Sequence, residues 1–324
     1  MGDKTSDDIV LVELMVAFFV VIGILVLISA LVLYLNRRKI PLPYRFVESK
    51  GTKIHYFEKG TGYPVVLLHG TNGSLQDFKL SIVDGLSKDF RAIAFDRPGH
   101  GHSQMSPYDG ERRISHGDLI IEGWKKLGID RPILVGHSSA GVVLMDIAVR
   151  RPEEVSAVVL ISGVVHSSGM DQVPVMGIYR TISKKYIGSL LLWTVIIPLG
   201  GLIGRWLLKF TFSPDPVPEV YRKLGIALAL SPKSLRAEAE DLANIKPILS
   251  AVEHEYPKIK VPMVILYGDM DHNVPPEGQS ILLNKEIPSS VIISLPNTGH
   301  MPMFTRTADV TEAIRRAWLL STNQ

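Results

Sequence analysis

The sequence contains no cysteine, so disulfides, thiolate nucleophiles and cysteine-ligated metal sites are excluded. It has no Gly-rich phosphate loop and no dinucleotide fingerprint, so nothing in it calls for a nucleotide or another cofactor. It has little excess charge: +3 over 324 residues, with no basic cluster interleaved with aromatics, which argues against nucleic acid as a partner. Internal repeats and low-complexity tracts are also missing. What remains is a chain that is 46% hydrophobic and 21% charged, ample to bury a large core.

Charge is absent in one place above all, residues 14–35, a run long enough to span a bilayer. The residues before it are acidic (Asp3, Asp7, Asp8, with Lys4 alone basic), and no small-residue cleavage site follows, so it reads as an uncleaved anchor and not a signal peptide. Arg37, Arg38 and Lys39 come directly after it. The positive-inside rule then puts the rest of the chain on the cytoplasmic side of a single-pass membrane protein. Residues 1–40 form an anchor unit. Pro41-Leu42-Pro43 is a stiff connector that separates it from an independent catalytic unit.

Beyond the connector, eight short apolar runs read as strands: 44–49, 53–58, 65–68, 91–95, 133–135, 157–161, 261–267 and 291–295. Helical patterns at 75–88, 114–127, 141–150 and 308–320 lie between most of the later ones. Strand–helix alternation after an opening hairpin implies a mostly parallel eight-stranded sheet flanked by helices, of class α/β. The alternation lapses over 164–250, which reads as a helical cap inserted between two parts of the core, 41–163 and 251–324. A second uncharged run, 186–204, falls in this cap. A membrane crossing there would separate residue 138 from everything after 204. Pro198, Gly200 and Gly201 are expected to break the run into two shorter helices. Two apolar helices of this kind either line a lipophilic pocket or lie in a membrane interface. Trp193 and Trp206 flank the break, and Lys184, Lys185, Arg205 and Lys209 bracket the stretch, a composition that suits the interface over 186–210.

The chemistry centres on Gly136-His137-Ser138-Ser139-Ala140-Gly141, set between the strand 133–135 and the helix 141–150. A plain βα turn with a capping serine has a similar local sequence. The strand before, the helix after and the partners further along distinguish a nucleophile elbow from it, with small residues at 136, 140 and 141 where two backbones nearly touch. A serine needs a base and the base needs an orienting acid. In an open α/β sheet both belong at the carboxyl ends of later strands. Asp269 and Asp271 follow one such strand, and His300 follows the next. Asp271 stands further past its strand, where the loop can turn back toward His300, so it is the preferred acid and Asp269 the competitor. The loop at His69-Gly70-Thr71 can supply a backbone N–H which, with that of Ser139, would form an oxyanion hole. His100 and His102, two residues apart in a Gly-rich turn with no third ligand nearby, are read as a structural turn and not a metal site. His55, His116, His166, His254 and His272 are assigned structural or surface roles.

Five motifs, LLHGTNGS (67–74), AFDRPGHGHS (94–103), LVGHSSAG (134–141), LYGDMDHNVP (266–275) and PNTGHMP (296–302), make the chain from about 44 to 320 resemble the α/β-hydrolase superfamily. The resemblance implies the α/β-hydrolase fold, with Ser138, Asp271 and His300 as the triad. It also implies that Thr71 and Ser139 lend the oxyanion amides. Ala140 and Ser139 replace the glycine and methionine common in the family. Dehalogenases and epoxide hydrolases of the superfamily use an aspartate nucleophile, which the serine at 138 speaks against. The anchor and apolar cap are similar to those of membrane-bound monoacylglycerol lipases. The expectation is a membrane-anchored serine hydrolase acting on lipophilic carboxylic esters, with no cofactor and no metal. Its partners are the ester substrate and the bilayer, the latter met through 14–35 and, if the cap 186–210 does not serve as pocket lining, through that cap as well. An acyltransferase, a perhydrolase of the haloperoxidase type and a non-catalytic binding protein are the alternatives.

Overall fold

In the computed structural model, which describes residues 4–38, 45–109, 112–113, 115–168 and 176–322, one eight-stranded sheet organises the chain. Its strands are β1 (Arg45–Ser49), β2 (Thr52–Lys59), β3 (Tyr63–Leu68), β4 (Phe90–Phe95), β5 (Ile133–His137), β6 (Ala157–Ile161), β7 (Met263–Gly268) and β8 (Val291–Leu295). They lie in the order β1-β2-β4-β3-β5-β6-β7-β8. Only the β1–β2 and β2–β4 pairs are antiparallel. The central strands ILVGH and AVVLI are buried at every residue, as strands covered on both faces must be. Their β-branched side chains feed two cores, one on each face of the sheet. Trp124, Leu144 and Met145 complete the first, and Phe78, Ile314 and Ala317 the second.

The covering helices include α2 (His116–Lys126), α3 (Ala140–Arg150) and, at the C-terminus, Thr307–Thr322. Ser115 caps α2 by accepting the Asp118 amide at 3.0 Å. The pattern expected as one helix over 75–88 forms two short helices, Gln76–Lys79 and Val83–Leu86. Parallel registry aligns the strand ends: Leu68 pairs with Gly136, His137 with Ile161, and Gly268 with Leu295. The loops that follow β3, β5, β7 and β8 therefore emerge along one edge of the sheet.

Between β6 and β7 the described chain is mostly helical and contains no strand. It includes α4 (Lys185–Phe212) and α5 (Pro232–Ser250), the latter capped by Ser231 with Pro232 in its first turn. Here the structure corrects an expectation. Residues 185–212 form one continuous helix, not two. A π-helical turn at Leu192–Ile196 precedes Pro198. That wider turn absorbs the missing N–H and the bulk of the ring, which would break a regular helix. Gly200 is not a break either, since a side chain there would collide with Leu230 at 2.5 Å. It permits close packing.

The apolar helix α1 (Lys4–Arg37), long enough to cross a membrane, makes contacts with the insertion that the sequence did not announce. Val32 and Leu33 pack on a cluster of Ile182, Leu192, Ile197, Leu235 and Ala239, and Ser29 donates to the Trp193 carbonyl at 2.5 Å. The residues of the connector 41–43, Lys39 and the start of the insertion at 169–175 lie outside the described residues.

Candidate active site

Ser138 sits where β5 turns into α3, and its backbone is left-handed, with φ 54°. A non-glycine residue there costs on the order of 1–3 kcal/mol and persists only if its surroundings hold it. Three backbone hydrogen bonds do so. The Ser138 amide donates to the Ile161 carbonyl at 3.0 Å, and its own carbonyl accepts from the Gly141 and Val164 amides, both at 2.9 Å. The small neighbours are required by contact. A side chain at Gly136 would meet Leu144 at 2.6 Å, and one at Gly141 would meet the Val164 carbonyl at 2.6 Å. Ala140 fits with its methyl fully buried.

The loops after β7 and β8 reach this serine. His300 Nε2 lies 3.0 Å from Ser138 Oγ, and His300 Nδ1 lies 2.7 Å from Asp271 Oδ2. The other carboxylate oxygen of Asp271 accepts the Asn273 and Val274 amides at 2.9 and 3.0 Å. Burial alone would raise the Asp271 pKa. The His300 ring, by its charge and its hydrogen bond, and the Val274 amide outweigh burial and hold this carboxyl below its usual range. Asp269 does not join the group. It is exposed, and its carboxylate accepts the Thr298 amide at 3.3 Å, tying the two loops together.

Thr71 and Ser139 flank the serine with their amides unused: among the described residues neither N–H has an acceptor. The loop of Thr71 comes close because residue 70 is glycine. A Cβ there would stand 2.7 Å from that of Ser138. Two unpaired N–H groups beside a nucleophile are what a developing oxyanion requires.

Several residues around the site went unread in the sequence. His137 donates from Nε2 to the His300 carbonyl at 2.8 Å, with the two rings 4.7 Å apart. Burial and the neighbouring His300 depress its pKa to about 3, so it stays neutral. The loop at 69–72 is gripped from the core by Arg97, which donates to the Gly70 carbonyl at 3.2 Å. It is gripped from α5 by Glu238, which accepts the Asn72 amide at 2.8 Å. Glu238 also bonds His100 Nε2 at 3.0 Å, and Arg97 reaches Asp241 at 2.7 Å. Burial pushes the Glu238 pKa up, but the His100 hydrogen bond and the Arg97 guanidinium override it and bring it down to about 2. The only sequence signal for this network was the Asp-Arg-Pro-Gly-His turn. Its carboxylate partners are far along the chain, with nothing in their local pattern to mark them. His100 and His102 have separate partners, since the His102 ring lies edge-on to His55. His272 is an exposed loop residue, and His166 pairs with Glu286 at 2.8 Å.

The chain belongs to the alpha/beta hydrolase family, whose model matches residues 65–313. Haloalkane dehalogenase 2 of Mycobacterium tuberculosis is 25% identical over 263 residues, covering 80% of this chain and 89% of that protein. Among solved structures, a thermophilic esterase from Thermogutta terrifontis superposes with a TM-score of 0.68 at 19% identity, over 87% of this chain and 100% of its own. A membrane phospholipase A, described as a bacterial virulence factor, superposes with a TM-score of 0.65 at 20% identity, over 98% of this chain and 100% of its own. These structural likenesses concern the fold.

Proposed function

We propose that this hydrolase is a membrane-anchored serine enzyme that cleaves carboxylic esters with a lipophilic part. The observation that carries the reading is the Ser138–His300–Asp271 chain, at 3.0 and 2.7 Å, beside two unused amides. Ser138 Oγ attacks the ester carbonyl while His300 Nε2 takes its proton. The Thr71 and Ser139 amides receive the oxyanion. Collapse expels the alcohol, which takes the proton back from His300 and leaves an acyl group on Ser138. Water, activated by the same His300, then releases the acid. Asp271 holds the imidazole in its productive tautomer and stabilises the imidazolium. Aspartate-nucleophile chemistry, such as a dehalogenase of the superfamily performs, has no carboxylate at position 138 to start from.

The preference for a lipophilic substrate is supported by what adjoins the triad. Val142 follows the elbow and Val274 follows the acid. Both join Leu242, Ile245 and Leu249 of α5 in one apolar cluster. Anchoring rests on α1, with the basic residues after it favouring the cytoplasmic side for the domain. The test is a fluorophosphonate probe together with p-nitrophenyl esters of increasing chain length. Labelling that disappears in Ser138→Ala, with turnover that favours the longer acyl chains, is expected. A wild-type protein that takes no label and cleaves no ester overturns the reading.

A further inference from the structure

The bare part of α1 is too short to span a bilayer by itself. Its charge-free run is residues 14–35, because Glu13 precedes it. From Ser29 onward one side of this helix is covered by the insertion: Ser29 is fully buried, and Val32 and Leu33 belong to the apolar cluster with Leu192 and Ile197. That leaves 14–28 free, about 22 Å at 1.5 Å per residue, against a hydrocarbon layer of about 30 Å. Shifting the lipid toward the N-terminus would bury the Glu13 carboxylate at a cost of about 2.5–3.5 kcal/mol near mid-membrane, less toward the edge. Letting the lipid reach residues 29–33 costs nothing of the kind. It places the helix packed against those residues, α4, in the same layer.

The surface of α4 fits that placement. Its outward side chains are large and apolar, with Tyr186 80%, Leu202 75% and Trp206 67% exposed, and Leu190 and Leu199 about half exposed at 51% and 48%. In water this would be an unusually large apolar patch. No carboxylate occurs between Asp171 and Asp215, whereas Lys184, Lys185, Arg205 and Lys209 sit at or near the ends of the helix. Among the described residues none of these four cations has an ion pair. An apolar face edged by unpaired cations is complementary to acyl chains beneath anionic headgroups.

The far end of α4 meets the catalytic loops. Asn273, two residues past Asp271, donates to Thr211 Oγ1 at 3.2 Å. Next to His300, a side chain at Gly299 would strike the Ser213 carbonyl at 2.0 Å. One helix thus runs from the anchor contact at Trp193 to the loops that carry the acid and the base.

We propose that α4 is a second membrane-contacting element, lying against α1 in the leaflet on the domain's side, with its apolar face in the acyl-chain region of an anionic phospholipid bilayer. This rests on the reading of α1 as the spanning segment. It makes the bilayer itself the route by which a lipophilic ester reaches the two loops.

The absence of cysteine makes a direct test available. Single variants Leu27→Cys, Leu202→Cys, Trp206→Cys and Leu319→Cys, all at exposed positions, carry an environment-sensitive fluorophore in the full-length chain. The chains are reconstituted in vesicles of phosphatidylglycerol and phosphatidylcholine. Fluorophosphonate labelling of Ser138 in each variant reports that the domain is folded, independently of the membrane. Brominated acyl chains are expected to quench the labels at 27, 202 and 206 alike, and aqueous iodide only the label at 319. Iodide quenching at 202 and 206, with 27 still quenched from the lipid, overturns the proposal and leaves the anchored hydrolase standing. Iodide quenching at 27 as well removes the spanning helix, and the proposal with it.

Discussion

The sheet and the insertion bury opposite things. In the sheet, β5 and β6 send Val, Leu and Ile into both cores. In the insertion, α5 buries a carboxylate, Glu238, at 0% exposure against Arg97 and His100, while α4 turns Leu202 and Trp206 outward. The first arrangement is what water demands. The second places apolar side chains on the outside and paired charges within, and an exposed apolar patch of that size marks an interaction surface. The difference separates a sheet edge that holds Ser138, His300 and Asp271 in fixed positions from a helical layer with an apolar outer face, the face we propose meets the bilayer.

That contrast is broken most severely at the edge of the sheet. Ser138→Ala and His300→Ala each remove the reacting group from a site whose backbone is held by other residues, so the fold should survive. Turnover of a short soluble ester should fall by at least ~10⁴-fold in kcat/KM. Circular dichroism checks the first expectation and steady-state kinetics the second. Next comes the acid. Asp271→Asn keeps the shape but loses the charge that orients His300, and a loss of about 10⁴-fold in kcat is expected. Asp269→Asn keeps an oxygen in place to accept the Thr298 amide at 3.3 Å, loses only the charge of an exposed carboxylate, and should cost less than about tenfold. Equal losses in the two variants would mean that the acid acts through loop geometry and not through its contact with the imidazole.

The buried charges of the insertion yield a stability prediction with a defined pH window. Glu238→Gln leaves Arg97 and His100 without their carboxylate. Breaking a buried pair in this way costs about 3–5 kcal/mol. The sign follows from the depressed pKa. An ordinary value of 4.5 brought down to about 2 in the folded chain means that the ionised form stabilises fully above about pH 4.5 and is progressively lost as pH falls toward 2. The wild type should therefore lead the variant by a constant margin in denaturant midpoint from neutral pH down to about 4.5, with the gap closing below that. Stability of both should already decline below pH 6.5. His116 and His137 are held neutral in the fold, with values of about 4 and 3, so protons bind the unfolded chain first. A gap that widens on acidification would reverse the assignment of Glu238 as the ionised partner.

How much of this was legible in the sequence divides along the same line. The strands and the elbow were readable because their signals are local: a continuous apolar run is a buried strand, and a serine between small residues at a strand-to-helix turn is an elbow. Asp271 and His300 were readable because they directly follow such runs. The helix α4 was misread at Pro198, where a π-helical turn restores continuity that no residue pattern announces. The docking of α1 on the insertion was missed for a related reason, since Ser29 and Trp193 are 164 residues apart and nothing in either segment marks the other. The contact of His137 with the His300 carbonyl and the grip of Glu238 on the Asn72 amide are likewise long-range, and each residue type has a commoner role as a plain structural or surface group.

The smallest effect is the most discriminating. Leu202→Asp in α4 and Leu192→Asp a few turns earlier are the same chemical change on one helix. Leu192 is fully buried against the α1 contact, whereas Leu202 is 75% exposed. Burying an unpaired carboxylate at 192 should destabilise the insertion by several kcal/mol. At 202 the side chain has nothing to lose in detergent or buffer, and the change in stability should stay within about 0.5 kcal/mol. If the outer face meets only water, activity should be equally indifferent. If it meets acyl chains, Leu202→Asp should leave the turnover of a short soluble ester unchanged and lower that of a long-chain ester presented in vesicles, a split seen by measuring both substrates on one preparation. A matched fall on both substrates would mean that position 202 acts through the fold, and the outer face of α4 would then have to be counted with the buried side of the comparison.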